Sequence, residues 1–332
     1  MFPLLVASHP DSAEILVSPE ITGISLYRRL KQPTRNILQY VAASCNLRSV
    51  CVLNIMRGGL NFPVEESSYD LGLNVKGISF VTTERIVKND VPGCKILDSK
   101  IMLCNDATFV IGDIVATGET FRETVRCIVD LYSRANLQIK RIVLVTFGTV
   151  EALRIVNGLN REIRERWNDF EGIITVFYEG IFSAYTTSGI TGLNMPWIDF
   201  LPNGGFLCPE YRHRMIEREN APFEKCAIYD GGDRRFEPGK HIDALLVYWE
   251  NLNIYWSKFQ LPEFVAEKFG YGSDCSYEDW LKFNSYTCLK EDSSYLFDLF
   301  NKERHFLQKL TPLRFADLCH SRYEEIALQK NF

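Results

Sequence analysis

Residues Phe109–Val125 read F-V-I-G-D-I-V-A-T-G-E-T-F-R-E-T-V, and the fold expected for the chain is built outward from this stretch. Its apolar opening is typical of a short, fully buried strand in a parallel sheet. A turn of small residues follows at Ala116–Thr120, and beyond it apolar residues recur at the spacing of one helix face. Thr120 and Glu123 have the spacing of a helix capping box. The stretch therefore predicts a strand, a tight turn and a helix, with Asp113 just past the carboxyl end of the strand.

The turn between this strand and helix has the features of an anion site. Successive backbone N–H groups, together with the positive end of the following helix, form a concave surface that favours negative charge. Gly118 lets the backbone approach a ligand closely, and the hydroxyls of Thr117 and Thr120 can add donors. The Asp113 carboxylate is badly placed for a phosphate but well placed for sugar hydroxyls or a phosphate-bound metal ion. Together these features predict a sugar phosphate as the ligand.

The composition is that of a soluble globular protein, with 46% hydrophobic and 24% charged residues in a chain of 332. This length is enough for one large domain or two of ordinary size. The net charge of -5 argues against non-specific binding to nucleic acid, which needs a basic surface. No apolar run approaches the roughly 20 residues of a membrane span. Neither nucleic acid nor a membrane is therefore an expected partner.

The start of the chain and its cysteines indicate the compartment. The first residues lack a basic region and soon meet Asp11 and Glu14, so we expect no signal peptide. The ten cysteines form no C-x-x-C pair, and Cys51, Cys104 and Cys127 lie in apolar runs where a thiol acts as a small core residue. We expect reduced cysteines and a cytoplasmic location. The five histidines show no metal-ligand spacing, which argues against a zinc site.

A second strand-to-loop segment precedes the first. Residues Ser49–Met56 predict another buried strand, and the chain continues as Arg57-Gly58-Gly59-Leu60. The two glycines can bring backbone N–H groups to a ligand, and the Arg57 guanidinium can hold phosphate oxygens in bidentate fashion. A plain glycine turn explains these residues better when they are considered alone. The order and separation of the two loops favour a shared ligand site.

The remaining segments predict the architecture. Lys140–Phe147 and Gly172–Tyr178 predict further strands, and Thr149–Asn157 predicts a helix between them. Strands that alternate with helices indicate an α/β fold with a doubly wound parallel sheet, whose ligand lies beyond the carboxyl ends of the strands. Residues 240–332 predict a helical C-terminal extension rich in aromatic residues. So many large apolar groups should cover the sheet domain or form an interface with a partner.

The stretch at Phe109–Val125 resembles the 5-phosphoribosyl-1-diphosphate (PRPP) signature of type I phosphoribosyltransferases. That signature is an apolar strand, two acidic positions and a Thr-Gly-x-Thr/Ser phosphate loop. Gly112 stands at the first acidic position, and only Asp113 remains. The segment Arg57–Leu60 is similar to the pyrophosphate loop of these enzymes, most clearly to the Arg-Ala-Gly-Leu of uracil-type members.

A third segment points to the uracil-type enzymes. Residues Tyr229–Phe236 read Y-D-G-G-D-R-R-F and resemble the Gly-Asp-Ala-Gly-Asp-Arg-x-Phe segment in the hood over the base. The resemblance covers about Ser49–Phe236, and the chain is similar to, but divergent from, uracil phosphoribosyltransferases. The Pro-Gly-Leu-Gly stretch before that hood is replaced by Phe223–Ile228, so uracil itself is not the expected acceptor.

The resemblance implies a phosphoribosyltransferase-like domain over residues 1–239. Such a domain binds PRPP with Mg²⁺ and transfers 5-phosphoribosyl to a nitrogenous base, here with a pyrimidine-like acceptor favoured, and releases pyrophosphate. The implied roles are a 5-phosphate loop of Ala116, Thr117, Gly118, Glu119 and Thr120; a pyrophosphate loop of Arg57, Gly58 and Gly59; Asp113 at the ribose hydroxyls and the metal ion; Arg85 or Lys88 in a mobile loop closing over the leaving group; and Asp230, Gly232, Asp233 and Arg234 near the base or its hood.

Two alternatives stay open. The polar stretch that carries Arg85 and Lys88 is also compatible with a solvated hairpin whose cations have no role. The aromatic C-terminal extension also suits a binding protein, namely a catalytically altered phosphoribosyltransferase fold that senses a nucleotide or serves as an effector subunit of a larger assembly. In either case the extension indicates a homo-oligomer or a subunit of a complex.

Overall fold

The computed structural model describes residues 4–88, 91–185, 199–225, 232–255, 261–289 and 293–330. The strands are β1 (Leu4–Ala7), β2 (Val50–Met56), β3 (Val75–Lys88), β4 (Val91–Lys100), β5 (Ala107–Val115), β6 (Ile139–Thr149), β7 (Ile173–Tyr185) and β8 (Asp199–Leu207). The helices are α1 (Pro10–Val17), α2 (Gly23–Ser44), α3 (Val64–Asp70), α4 (Glu119–Arg134), α5 (Val150–Arg166), α6 (Pro209–Glu217), α7 (Asp233–Phe236), α8 (Pro238–Tyr255), α9 (Leu261–Phe269), α10 (Tyr277–Phe283), α11 (Ser293–Lys309) and α12 (Pro312–Gln329).

Packing divides the chain into two compact units, one formed by residues 1–12 and 24–178 and the other by residues 13–23 and 179–332. The division falls within β7, which contributes to both. The predicted boundary between residues 239 and 240 stays a prediction, because the two units are defined by their contacts and not by independent folding.

The first unit is built on a sheet with the strand order β1-β7-β6-β5-β2-β3-β4. β1 pairs with β7, β5 with β6, and β2 with both β5 and β3, all in parallel, whereas β3 and β4 pair as an antiparallel hairpin. β2 and β5 are buried along almost their whole length, as expected for central strands of a parallel sheet. The predicted fold class is confirmed, since the structure is α/β with a mostly parallel central sheet and a helical C-terminal region.

Helix α4 shows how the pattern of apolar residues places a helix on this sheet. Its buried residues recur every three or four positions and form one stripe, which is Phe121, Thr124, Val125, Ile128, Val129 and Tyr132.

Near the amino-terminal end of β2, the Cys51 Sγ lies 3.3 Å from the Cys104 Sγ. Burial raises the pKa of the Cys51 thiol to about 12, so this thiol is a packing group, as predicted.

The second unit is mostly helical. The part of β7 beyond Tyr178 pairs with β8 in antiparallel register, and α6 to α12 follow. Trp249 and Trp280 are completely buried within this unit, so these two tryptophans need no partner chain to cover them. Within the part of the chain that the structure describes, no helix is both long and apolar enough to cross a membrane.

A buried ion pair ties α6 to α11 in the second unit. Arg212 Nε donates to Glu303 Oε1 over 2.9 Å, and neither side chain is more than 1% exposed. Glu303 Oε2 also accepts from Trp280 Nε1 at 2.6 Å and from the Tyr271 hydroxyl at 2.7 Å. A carboxylate with so many donors is fully satisfied, and its loss leaves a buried guanidinium without its counter-charge.

We therefore expect Glu303→Gln to destabilise the second unit by about 3–5 kcal/mol, the cost of leaving one member of a buried pair uncompensated. Urea unfolding followed by tryptophan fluorescence measures this loss, because Trp280 lies beside the substituted group. The matched control is Asp298→Asn on the same helix, where the pair with Lys302 is exposed and the change should stay within about 0.5 kcal/mol. Equal losses for the two variants would show that burial does not set the strength of the pair.

Candidate functional site

The predicted phosphate loop connects β5 to α4. β5 runs to Val115, so Asp113 lies within the strand and not just past its end as predicted. Gly118 is the N-cap of α4 with φ 80, and no side chain caps the helix. The predicted capping box of Thr120 and Glu123 is therefore wrong. The left-handed backbone of Gly118 turns the chain into the helix one residue before Thr120, which falls in the first helical turn.

The start of α4 presents unpaired backbone donors. The amide of Arg122 donates to the Gly118 carbonyl at 2.8 Å, which is the first i to i−4 bond of the helix. The N–H groups of Glu119, Thr120 and Phe121 precede that bond and have no acceptor within the helix. They carry the positive end of the helix dipole. The start of α4 thus offers backbone donors, and its role as an anion site stays a prediction.

The acidic residue in this loop is paired with an arginine of its own helix. The Glu119 carboxylate accepts from Arg122, whose Nε lies 3.3 Å from Glu123 Oε1. The guanidinium therefore holds Glu119 towards the second turn of α4. The pairing with Arg122 reduces the repulsion between Glu119 and an anion bound at the first amides of α4.

The predicted pyrophosphate loop lies against the end of β5. It follows β2 and forms a short 3-10 helix over Gly58–Asn61. A Cβ added at Gly58 would lie 3.0 Å from Asp113 Oδ1, and one added at Gly59 would lie 3.2 Å from the Gly112 carbonyl oxygen. β2 and β5 are direct neighbours in the sheet, so both loops leave the same edge. The structure therefore brings Gly58, Gly59 and Asp113 together.

Asp113 and Arg57 differ in their surroundings. Asp113 is 6% exposed and lies in register with Thr146 of β6, so its carboxylate is held within the sheet edge. Arg57 is exposed at the start of the glycine loop. A fixed carboxylate at the end of β5 and an exposed cation on the neighbouring loop suit a ligand that offers hydroxyls at one end and charged oxygens at the other.

The structure explains why position 112 is a glycine, which the sequence did not reveal. A Cβ at this position would lie 2.3 Å from the Phe62 Cβ and 3.1 Å from Val64 Cγ1. Successive residues of a strand face opposite sides of the sheet, so a side chain at 112 would point away from Asp113 and into this packing. The glycine at this position is therefore explained by packing, and the ribose contact of Asp113 stays a prediction.

Arg85 and Lys88 lie on β3, in the hairpin with β4. Their backbone partners across the hairpin are Cys94 and Val91. The segment is thus a regular two-stranded structure, as the solvated-hairpin interpretation expected. A role for either cation in closing over a leaving group stays a prediction.

The predicted hood residues belong to the second unit, and Asp230 lies outside the described residues. Gly232 has φ 93 and is the N-cap of α7. Arg234 is 2% exposed and donates to the carbonyls of three residues of the segment 13–23, namely Ile15, Ser18 and Ile21. Asp233 accepts from Lys240 at 2.5 Å. These contacts hold the second unit together, and a role at a base stays a prediction.

Two residues of the phosphate loop's support were missed from the sequence. Thr149 Oγ1 donates to the Ala116 carbonyl over 2.5 Å, and Thr149 is completely buried. A Cβ at Gly118 would lie 2.6 Å from Ile155 Cγ1 on α5. The only sequence signal for Thr149 was its place before the helix α5, which indicates a cap and not a loop contact.

Comparison with known proteins gives matches among solved structures but none to the sequence. No protein-family model and no curated protein matches the sequence. Among solved structures, the AQ2163 protein from Aquifex aeolicus aligns at 15% identity over 53% of this chain and 86% of that chain, with a TM-score of 0.39. A hypoxanthine-guanine phosphoribosyltransferase from Bacillus anthracis aligns at 13% identity over 37% of this chain and 67% of that chain, with a TM-score of 0.26.

A purine phosphoribosyltransferase from Pyrococcus horikoshii aligns at 16% identity over 44% of this chain and 76% of that chain, with a TM-score of 0.23. Phosphoribosyltransferases are thus among the structural neighbours, at low identity. Scores of this size support no argument about activity, which rests on the site itself. The predicted closeness to uracil-type enzymes stays a prediction.

The contact between position 112 and Phe62, which lies beside the candidate site, can be tested by substitution. We expect Gly112→Ala to destabilise the first unit by about 1–3 kcal/mol, because the new methyl group overlaps Phe62. The control is Gly158→Ala in the middle of α5, where nothing lies within 4 Å of the added Cβ. That change should stabilise the helix by about 0.5–1 kcal/mol. Chemical denaturation of both variants decides the point, and a neutral Gly112→Ala would contradict the packing argument.

Proposed function

We propose that the first unit binds PRPP and transfers its 5-phosphoribosyl group to a nitrogenous base, with release of pyrophosphate. One observation carries the proposal. The glycine loop, the buried Asp113 and the start of α4 converge at the carboxyl edge of two adjacent parallel strands, β2 and β5. Ligands of open α/β sheets bind at such edges. The convergent groups offer donors for two phosphate-bearing ends and an acceptor for the sugar between them.

The 5-phosphate binds at the start of α4 in this proposal. The N–H groups of the first helical turn have no acceptor within the helix, and the dipole favours a dianion there. Thr117 and Thr120 are half-buried and can add hydroxyl donors. Gly118 keeps the backbone free of a side chain on the way into the helix. Binding by backbone groups needs no lysine or arginine inside the loop.

The pyrophosphate end binds at Arg57, Gly58 and Gly59, together with Mg²⁺. Within the described residues, no group of three or more His, Cys, Asp or Glu side chains could hold a metal ion alone. Mg²⁺ is commonly bound through one or two carboxylates together with substrate phosphates and waters. Asp113 supplies one carboxylate, so the residues fit a metal ion that arrives with the ligand. When bound, Mg²⁺ would neutralise charge on the pyrophosphate.

The reaction exchanges one bond at the ribose C1 for another. The C1–O bond to pyrophosphate breaks, the base nitrogen forms the new C1–N bond, and its proton passes to solvent. Because the C1–O bond loosens first, positive charge develops on the sugar. Asp113 accepts hydrogen bonds from the ribose hydroxyls and faces that charge, while Arg57 holds the leaving oxygens. Catalysis is then mostly positioning and charge stabilisation.

The acceptor and the partner are further parts of the proposal. A pyrimidine-like base is supported by the likeness of residues 229–236 to the uracil-type hood. An assembly through the aromatic C-terminal region, as a homo-oligomer or as a subunit, and a cytoplasmic location belong to the same proposal.

The second candidate function, a nucleotide-binding sensor or effector, is favoured by one observation. Gly112 is packed under Phe62, so the site has one carboxylate where the enzymes have two.

Calorimetry with PRPP and Mg²⁺ tests the proposal first. We expect binding to the full chain, weakened roughly 10- to 100-fold by Arg57→Met, because a hydrogen bond to a charged group contributes about 1.5–3 kcal/mol. The control is Arg154→Met on α5, whose side chain is 71% exposed, and its affinity should be unchanged. Pyrophosphate release with a panel of bases then separates the two functions. Binding without turnover on any base indicates the sensor, and absence of PRPP binding rules out the transferase.

A further inference from the structure

The hydroxyl of Thr149 is used in an unusual way. Thr149 is the N-cap of α5, with an extended backbone of φ −112 and ψ 174, yet its side chain makes no capping hydrogen bond to that helix. Threonine at an N-cap normally accepts from an amide of the first helical turn. Here the hydroxyl instead donates to the carbonyl of Ala116 in the phosphate loop, over 2.5 Å. The stabilisation of α5 that a cap provides is given up for a contact with the loop.

This contact fixes the orientation of one peptide plane. The Ala116–Thr117 bond is trans, because the cis bond of the described residues is Met56–Arg57. In a planar trans peptide the N–H points opposite to the C=O. A carbonyl of Ala116 held by Thr149 on the β6 and α5 side therefore directs the Thr117 N–H away from that side. An N–H directed this way is available to a ligand on the other side of the loop.

The loop is supported at a second point by the same helix. Ile155 on α5 lies directly under Gly118, with Cγ1 2.6 Å from the position of an added Cβ. Gly118 follows Thr117 and has φ 80, so the backbone turns in the left-handed conformation directly over Ile155. One helix thus holds the loop by a hydrogen bond before Thr117 and by packing after it.

We propose that Thr149 is a positioning residue for the anion site, which presets the Thr117 amide to donate to a bound phosphate. The inference rests on the proposed function for the identity of that phosphate. A donor that is oriented before binding has no reorganisation cost when the anion arrives. Without the hydroxyl, the peptide can turn its carbonyl towards the site, where it repels the phosphate oxygens.

Two variants isolate the hydroxyl. Thr149→Val keeps the shape of the side chain but cannot donate, and Thr149→Ser keeps the donor but loses the methyl group. The probes are PRPP with Mg²⁺ in calorimetry and inorganic phosphate in an amide NMR titration of the labelled full chain. We expect Thr149→Val to weaken the binding of both probes by about 3- to 10-fold, the range of one neutral hydrogen bond. Thr149→Ser should remain within about twofold of the wild type, because the same bond is kept.

The Thr117 amide is the readout that a purely structural role would not move. In the wild type its NMR signal should shift on addition of inorganic phosphate, and in Thr149→Val the shift should be lost while the signals of α4 beyond the first turn stay in place. Equal phosphate affinity and an equal Thr117 shift in wild type and Thr149→Val would overturn the inference. So would a Thr149→Ser variant as weak as Thr149→Val.

The outcomes also separate this inference from the proposed function. Phosphate binding that depends on Thr149, in a protein that does not bind PRPP, supports the positioning role and removes the phosphoribosyl proposal. PRPP binding that is insensitive to Thr149→Val removes the positioning role and leaves the proposal intact. A wild type that binds neither probe overturns both. If Thr149→Val does not fold, Thr149→Ala removes the donor without placing a methyl group against the carbonyl, and the same comparisons apply.

Discussion

The close approach of the Gly58–Gly59 turn to the end of β5 is the constraint on which the candidate site depends. A side chain at Gly59 would meet the Gly112 carbonyl oxygen at 3.2 Å and the backbone of Asn54 at 3.3 Å. Adjacent strands are only about 4.8 Å apart, so a loop that crosses their ends at this height is least strained when it carries no Cβ. Phe62 follows this turn and packs against Gly112. Gly59 and Gly112 are two parts of one packing arrangement.

That arrangement sorts the end of β5 into two sides. One side is closed by aromatic packing, because the Phe62 ring lies 6.1 Å from the Phe147 ring and 6.0 Å from the Tyr178 ring. The other side carries Asp113 and faces the glycine loop. A preorganised site needs packed apolar groups on one side and polar groups on the other, because the packed groups hold the ligand-binding groups in place. The phosphate loop follows the same rule, with Ile155 and Thr149 beneath it.

The sequence predicted what depends on local pattern and missed what depends on contacts between distant residues. The buried runs of β2, β5 and β6 were found because a central parallel strand is apolar on both faces. The start of α4 was placed at Thr120 because capping residues were weighed, but the positive φ of Gly118 decides it. No residue near Gly112 in the sequence indicates that Phe62 packs against it. The bonds from Arg234 to three carbonyls of residues 13–23 were likewise invisible in the sequence, where Arg234 was placed near the base or its hood by resemblance alone.

The single carboxylate at the end of β5 bears on whether the site is built for binding or for turnover. Two unit charges 4 Å apart near a protein surface interact by about 4 kcal/mol, so each carboxylate at such a site matters. A carboxylate repels the phosphates of PRPP in the ground state and attracts the positive charge that develops on the ribose in the transition state. Removing one of two acids therefore helps binding and hinders the chemical step. Only interactions that are stronger in the transition state raise the rate of that step. With Gly112 packed under Phe62, Asp113 is the acidic side chain that the end of β5 offers on the side of the glycine loop, and in the proposed reaction it has to supply the catalytic charge.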